Sequence, residues 1–250
     1  MRILLASDLH YTLPQLDWIE QVAPEHDVVV LAGDHLDVAS SVRPEDQAAA
    51  VLAHFRRLAG LTRLVVCSGN HDLTGRDGNG EKAPLWLAQA GASGVAVDGD
   101  SVELGDVLLT VCPWWDGPQG QEAVGRQLAR DAERRPAVWI WVYHWPPTGS
   151  RTTWTGRQYY GDAELSSWID EHQPDMVLAG HVHEPPFRSD GSWADRIGRT
   201  WVFNAGRSIG PVPPHVVVDV EERRARWWSL SGEEEQLLDD APPLVRPGLS

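Results

Sequence analysis

Cysteine is scarce in this chain: Cys67 and Cys112 are the only two among 250 residues, and they do not form a C-x-x-C pair. That excludes a disulfide scaffold, a zinc–thiolate site and a dithiol redox motif. Each cysteine follows a run of aliphatic residues and reads as a small core thiol. No apolar stretch reaches membrane-spanning length. The opening Met1-Arg2-Ile3-Leu4-Leu5-Ala6 is too short for the apolar region of a signal peptide. The expected setting is therefore soluble and cytoplasmic, with no membrane partner.

Basic charge is also in short supply. Lys and Arg number 21 against 36 Asp and Glu, a formal net charge of -15. Such a surface repels nucleic acid and anionic membranes at long range. It does not exclude an anionic small molecule, because bound cations invert the local field. Part of the acid lies in Glu233, Glu234, Glu235, Asp239 and Asp240. That run reads as a solvated, flexible tail over residues 231–250, after a single domain over residues 1–230. Internal repeats are absent too.

What is present is alternation. Short runs rich in Val, Ile, Leu and Trp read as strands: Ile3–Ala6, Val28–Ala32, Leu64–Cys67, Val107–Val111, Val138–Tyr143, Met176–Ala179, Thr200–Phe203 and Val216–Val220. Between them, Leu13–Ala23, Pro44–Ala59, Ala83–Ala90, Gln121–Arg134 and Asp162–Glu171 read as helices. Pro44 suits a first helical position and Asp162 an N-cap. Two hairpins are expected, one turning at Gly105-Asp106 and one at Glu221–Arg224. The pattern predicts a layered α/β domain, with long loops at Thr74–Gly80 and Pro146–Gly161.

The chemistry sits where the strands stop. Ile3–Ala6 runs into Ser7-Asp8-Leu9-His10, and Val28–Ala32 into Gly33-Asp34-His35-Leu36-Asp37. Leu64–Cys67 runs into Ser68-Gly69-Asn70-His71-Asp72, Val138–Tyr143 into His144, and Met176–Ala179 into Gly180-His181-Val182-His183. Ligands of open α/β sheets bind beyond the carboxyl ends of strands. If the five strands neighbour one another, Asp8, His10, Asp34, Asn70, His144, His181 and His183 converge. These N and O donors, with no thiolate, suit manganese, iron or zinc. They exceed what one tetrahedral ion uses and suit two ions sharing a carboxylate. Gly33, Gly69 and Gly180 permit the tight turns this needs.

D-x-H, G-D-x-x-D, G-N-H-D, a lone His after a strand, and G-H-x-H occur in that order between Asp8 and His183. In this the chain resembles the calcineurin-like metallophosphoesterases. The resemblance implies a four-layer αββα sandwich of two mixed sheets flanked by helices. It implies a dinuclear centre of two divalent metal ions, manganese first and iron or zinc as alternatives. Asp8, His10 and His183 would hold one ion, Asn70, His144 and His181 the other, with Asp34 bridging. His71 would face the substrate as a catalytic residue and be oriented by Asp72, with Asp37 in a supporting role. A bridging hydroxide would attack phosphorus, and the imidazolium of His71 would stabilise charge or protonate the leaving oxygen.

Arg151 and Trp154, in the loop after His144, are candidate substrate residues, as is Arg207 in Asn204-Ala205-Gly206-Arg207, which resembles the segment that closes such sites. His35 stands beside Asp34 and is a further candidate for the pocket wall. Of thirteen tryptophans, Trp139 and Trp141 alternate along one strand and read as core. Trp114, Trp115, Trp145 and Trp154 fall near the site, where packing filler and nucleobase stacking are both open. The partner implied is a small phosphate ester, a nucleotide included. His144-Trp145-Pro146-Pro147 resembles a segment of small bacterial phosphodiesterases and tilts the reading towards a phosphodiester. A DNA-repair nuclease and a non-catalytic scaffold of the same fold are the alternatives.

Overall fold

A computed structural model describes residues 1–242. In chain order the first elements are β1 (Arg2–Ala6), α1 (Leu13–Val22), β2 (Val28–Ala32), α2 (Pro44–Ala59) and β3 (Arg63–Cys67). A two-stranded hairpin of β4 (Gly75–Arg76) and β5 (Lys82–Ala83) and a single helical turn, α3 (Ala88–Gly91), follow. Then come β6 (Ser101–Leu104), β7 (Val107–Val111), α4 (Pro118–Ala132), β8 (Val138–Val142), α5 (Ala163–His172) and β9 (Met176–Ala179). The chain closes with β10 (Ala194–Ile197), β11 (Thr200–Asn204), β12 (His215–Asp219), β13 (Arg224–Ser229) and β14 (Gly232–Leu237). Among the described residues no helix is long and apolar enough to cross a membrane.

The strands form two six-stranded mixed sheets, ordered β14-β13-β12-β1-β2-β3 and β10-β11-β9-β8-β7-β6. Side-chain alternation decides the layers. Ile3, Leu5, Val28 and Val30 point into a core between the sheets, where they meet Leu109, Val111, Ile140, Val142 and Phe203. Their alternates Leu4, Ala6, Val29 and Leu31 point outward and pack under α1 and α2 with Leu16, Ile19, Val51 and Phe55. On the far side Leu108, Trp139, Trp141 and Val177 pack under α4 and α5 with Leu128, Leu165 and Trp168. The result is the helix–sheet–sheet–helix sandwich expected, and Trp139 and Trp141 are core, as read from their spacing.

Three elements differ from the sequence reading. The acidic segment 231–250 is not all tail: Gly232–Leu237 pairs antiparallel with β13, Ser229 facing Gly232 and Arg224 facing Leu237. Glu235 accepts from Arg226, and the next residue after the strand, Leu238, is buried in the inter-sheet core. Paired across a strand rich in arginine, the acidic run becomes a sheet edge; residues 243–250 lie outside those described. The helix expected at Ala83–Ala90 is reduced to Ala88–Gly91. Pro84 biases Ala83 towards an extended backbone. The indole of Trp86 donates to the Asp72 carbonyl at 3.0 Å and stacks with Phe55. The fourth helix begins at Pro118 rather than Gln121, with that proline in the first turn.

Candidate metal centre

The five strands that carry the motifs are not neighbours in one sheet. β1, β2 and β3 belong to the first sheet and β8 and β9 to the second. Their carboxyl ends meet across the sandwich. The Nδ1–H of His144 donates to the Ala32 carbonyl at 2.6 Å, and the backbone N–H of His181 donates to the Asp8 carboxylate at 3.0 Å. Half the site therefore stands on each sheet.

The turns that bring the donors together are strained. Asp8, His10, Asp34 and His181 all sit at positive φ, between 42° and 67°. Residues other than glycine rarely hold that conformation, which costs on the order of 1 kcal/mol or more each. Loop-to-loop hydrogen bonds hold them there, Asp8 N–H to Gly33 and His10 N–H to Asp34. Gly33, at φ +87°, is obligatory: a Cβ would lie 2.3 Å from Nδ1 of His144.

Around these turns two groups of donors form. In one, His183 Nε2 lies 3.2 Å from Asp8 Oδ1 and 3.3 Å from His10 Nε2. In the other, Asp34, His144 and His181 present donor atoms within 4.8 Å of one another. Asp34 is common ground, with Oδ2 3.3 Å from His144 Nε2, 3.7 Å from His10 Nε2 and 3.9 Å from His71 Nε2. Among the described residues Asn70 Oδ1, His144 Nε2 and His181 Nε2 are buried with no hydrogen-bond partner. Buried acceptors and ring nitrogens are rarely left so. Two buried carboxylates among imidazole nitrogens, two of which face each other at 3.3 Å, are a donor set that suits divalent cations.

The electrostatics agree for the two carboxylates and for His10 and His181. Burial alone would push the Asp8 carboxyl up, but His183 and the charge of His144 hold it below the usual carboxylate range. The same contest at Asp34, with His144 and His71 opposing burial, also ends below that range. Burial, opposed by Asp34 and Asp8, brings His10 down to about 4. Burial and the charge of His144 bring His181 down to about 3. Both rings are therefore neutral at pH 7, the form that ligates metal. His144 is the exception: burial disfavours its charge, but Asp34 and Asp8 raise it to about 9, so a cation bound at Nε2 would displace a proton. Its Nδ1–H bond to Ala32 turns Nε2 towards Asp34, the orienting bond typical of ligating histidines.

Other candidates fall differently. Asp72 does not orient the His71 ring. Its carboxylate is fully used by the backbone N–H groups of Asp34, His35, Leu36 and Gly69, at 2.8–3.1 Å. It ties the loop after β2 to the loop after β3, so its influence reaches the centre through Asp34. The His71 ring is a quarter exposed beside Asp34. Asp37 supports its own loop, its backbone exchanging hydrogen bonds with Gln47. His35 is buried away from solvent, its Nε2 bonded to the Cys67 carbonyl at 2.9 Å. Arg151 is occupied with the carbonyls of Asp190 and Gly191, so it braces two loops against each other. Trp154 pairs with Tyr159 at 4.9 Å. Arg207 is half-buried, and its charge reaches His10.

Asn204, which opens the segment that resembles a site-closing one, is a positioning residue, a role the sequence alone does not assign. Asn204 is fully buried and donates to the carbonyls of Thr152 and Val182 at 3.0 and 2.8 Å. It holds the turn that carries His181 and His183. Its position at a strand end was the signal available.

The family model for calcineurin-like phosphoesterases matches residues 1–185. The chain belongs to the calcineurin-like phosphoesterase family. As a member it is a metal-dependent hydrolase acting on phosphoric ester bonds, of a family that works with dinuclear metal centres. No curated protein matches it by sequence. Among solved structures of similar fold is a dimetal phosphatase from Danio rerio, 13% identical, with a TM-score of 0.63, covering 94% of this chain and 98% of that one. Another is the protein TT1561 of Thermus thermophilus, 17% identical, with a TM-score of 0.62 and coverage of 95% and 98%. The purple acid phosphatase PPD1 of yellow lupin aligns at 13% identity and a TM-score of 0.55, over 97% of this chain but 52% of the lupin chain. At these identities the likeness is one of fold.

Proposed function

We propose that this calcineurin-like phosphoesterase holds two divalent cations, manganese first among them, and hydrolyses a small phosphodiester. Asp8, His10 and His183 hold one ion, Asn70, His144 and His181 the other, and Asp34 stands between. The observation that carries the reading is that Asp8, His10 and His183, and likewise Asp34, His144 and His181, bring their donor atoms within 4.8 Å of one another, with both carboxylates ionised. The donor set of N and O atoms without thiolate supports manganese. Two divalent cations, when bound, supply Lewis acidity that neutralises phosphoryl oxygens and brings the ionisation of water towards neutral pH, making hydroxide available as nucleophile.

The chain's own residues do the rest. His71 stands partly exposed at the rim, its Nε2 3.9 Å from Asp34 Oδ2. It carries the proton that the leaving oxygen receives. The Arg207 guanidinium lies on the His10 side and meets a non-bridging phosphoryl oxygen. Asp72 keeps Asp34 in its left-handed turn. The diester preference is supported by His144-Trp145-Pro146-Pro147. The free, buried thiols of Cys67 and Cys112 are in keeping with a reducing, cytoplasmic setting.

The test is an assay of purified protein with manganese on p-nitrophenyl phosphate and bis(p-nitrophenyl) phosphate, beside elemental analysis. The expected result is two metals per chain, faster turnover of the diester, and a loss of about 10²–10⁴ in kcat for His71→Ala with metal content unchanged. Protein that carries two metals and turns over no ester would overturn the enzymatic reading. One metal per chain would overturn the dinuclear one.

A further inference from the structure

Three aromatic rings surround one proposed metal ligand. Trp114 follows β7, Trp145 follows β8, and Tyr160 ends the long loop beyond. Their ring centroids lie 5.1, 5.2 and 5.5 Å from the ring of His181. Trp114 and Trp145 are stacked at 5.3 Å with 17° between planes, and Trp145 meets Tyr160 at 5.2 Å. Two connections, one after β7 and one after β8, therefore place a continuous set of aromatic rings against the candidate metal centre.

Trp145 packs against the core under α4 and α5, yet none of the three rings is sealed within it. Trp141, which fills the core under α5, is 0% exposed, whereas Tyr160 is 46% exposed and both Trp114 and Trp145 are half-buried. A contiguous, partly wet aromatic surface beside a charged site marks a place where something apolar binds. The surface is also held in position. The Trp145 indole donates to the Tyr160 carbonyl, and the Tyr160 N–H donates to the Thr153 carbonyl at 2.9 Å. Thr153 itself is fully buried. Rings fixed by backbone bonds lose little entropy when a ligand stacks on them. The rings adjoin the donor group that contains His181, whereas Arg207 adjoins the group that contains His10 and His183, its backbone N–H donating to the His183 carbonyl at 3.2 Å. A cation beside one donor group and an aromatic surface beside the other match a phosphate and a planar group joined by a polar spacer.

We propose that Trp114, Trp145 and Tyr160 form a stacking platform for the base of a nucleoside phosphate ester and set the enzyme's preference for such esters over those lacking a planar group. This rests on the phosphoesterase reading above for the position of the phosphate. Every base has a π-face, so the platform selects for the presence of a base rather than its identity.

Two pairs of substrates differ by the base alone: the 5′-(p-nitrophenyl phosphate) esters of thymidine and of abasic 1,2-dideoxyribose, and adenosine 5′-monophosphate against ribose 5-phosphate. The expected ratio of kcat/KM within a pair is about ten-fold or more in favour of the base, carried mainly by KM. Trp145→Leu and the surface variant Tyr160→Leu should each bring that ratio towards one, while Trp145→Phe keeps it. A ratio near one in the unaltered protein, or one unchanged in both leucine variants, would overturn the platform and leave the phosphoesterase standing. A second arm needs no turnover: saturation-transfer NMR of adenosine 5′-monophosphate with EDTA-treated protein. Contact to the adenine H2 and H8 protons that weakens in Tyr160→Leu is the supporting outcome even if no ester is hydrolysed. Equal contact in the variant, or none in the unaltered protein, overturns the proposal.

Discussion

Asn204 shows how much a single buried amide holds in place. Its NH₂ satisfies carbonyls on two loops, and its Oδ1 accepts the Gly206 N–H at 2.9 Å. Asn204→Ala leaves two buried carbonyls unsatisfied, at about 1–3 kcal/mol each. The expected outcome is a lower urea midpoint together with weakened manganese binding, since the His181–His183 turn loses its anchor; a variant with unaltered midpoint and affinity would refute that role. Asp98 offers a pH-dependent counterpart. The residue as a whole is half-buried, but Oδ2 is buried without a partner among the described residues and Oδ1 accepts the Ser68 N–H at 2.8 Å. Burial raises its carboxyl to about 7, against the bonds from Ser68 that favour the charged form. The native state thus holds a proton that the unfolded chain, with an ordinary aspartate, releases near pH 4. This contribution to stability is full below about pH 4, falls as pH rises towards 7, and is flat beyond. Asp98→Asn removes the titration, so the variant's stability relative to the parent should improve from pH 4 to pH 8. Urea unfolding across that range checks it, and a pH-independent difference would contradict the assignment. The backbone bonds of Asp72 make the related point that proximity in sequence, here to His71, does not decide what a carboxylate touches.

At the scale of elements, the strand ends were legible because the physics there is local. Val28–Ala32 is continuous aliphatic, Gly33 breaks it, and Asp34 follows; the structure keeps those limits. The hairpins at Gly105-Asp106 and Glu221–Arg224 also stand where turn residues separate the runs. Ala83–Ala90 was misread because its helix-forming alanines and leucines are local, while the Trp86–Phe55 packing that overrules them is not. The loop after β2 gives the sharpest test at this scale. Gly33→Ala forces a Cβ to within 2.3 Å of the His144 ring at a backbone angle that alanine disfavours. The ring must tilt off its bond to Ala32. Manganese affinity, read by calorimetry, should fall about 10–100-fold, as for loss of a ligand's orienting bond. Unchanged affinity would show that His144 is not held by this contact.

The whole molecule decides what neither residue nor element does. The two sheets meet so that Asp8 and Asp34 on one face His144 and His181 on the other, and the edge strand β14 closes the first sheet. The exposed ion pairs along that edge, such as Arg226 with Glu235, contribute little, because solvent screens them. Leu238 matters more: it is 1% exposed in the inter-sheet core, and its carbonyl accepts the Trp201 indole N–H at 3.0 Å. Leu238→Ala should cost about 2–5 kcal/mol, and removal of residues 232–250 at least as much, seen as a drop in Tm. A truncated protein that melts like the parent would restore the reading of this segment as a tail.

By itself the sequence determined the strand runs, the polar residues that end them and, through the order of those motifs, the family. These follow from hydrophobic periodicity and backbone geometry, which act over a few residues. Only the tertiary structure decided that the donors are divided between two sheets, that Glu233–Glu235 lie in a strand, that Arg151 braces loops, and that Trp114, Trp145 and Tyr160 gather at His181. Ladder pairing, ring contacts and buried hydrogen bonds join residues far apart along the chain, and the free energy that selects such partners comes from burial, which no local pattern encodes.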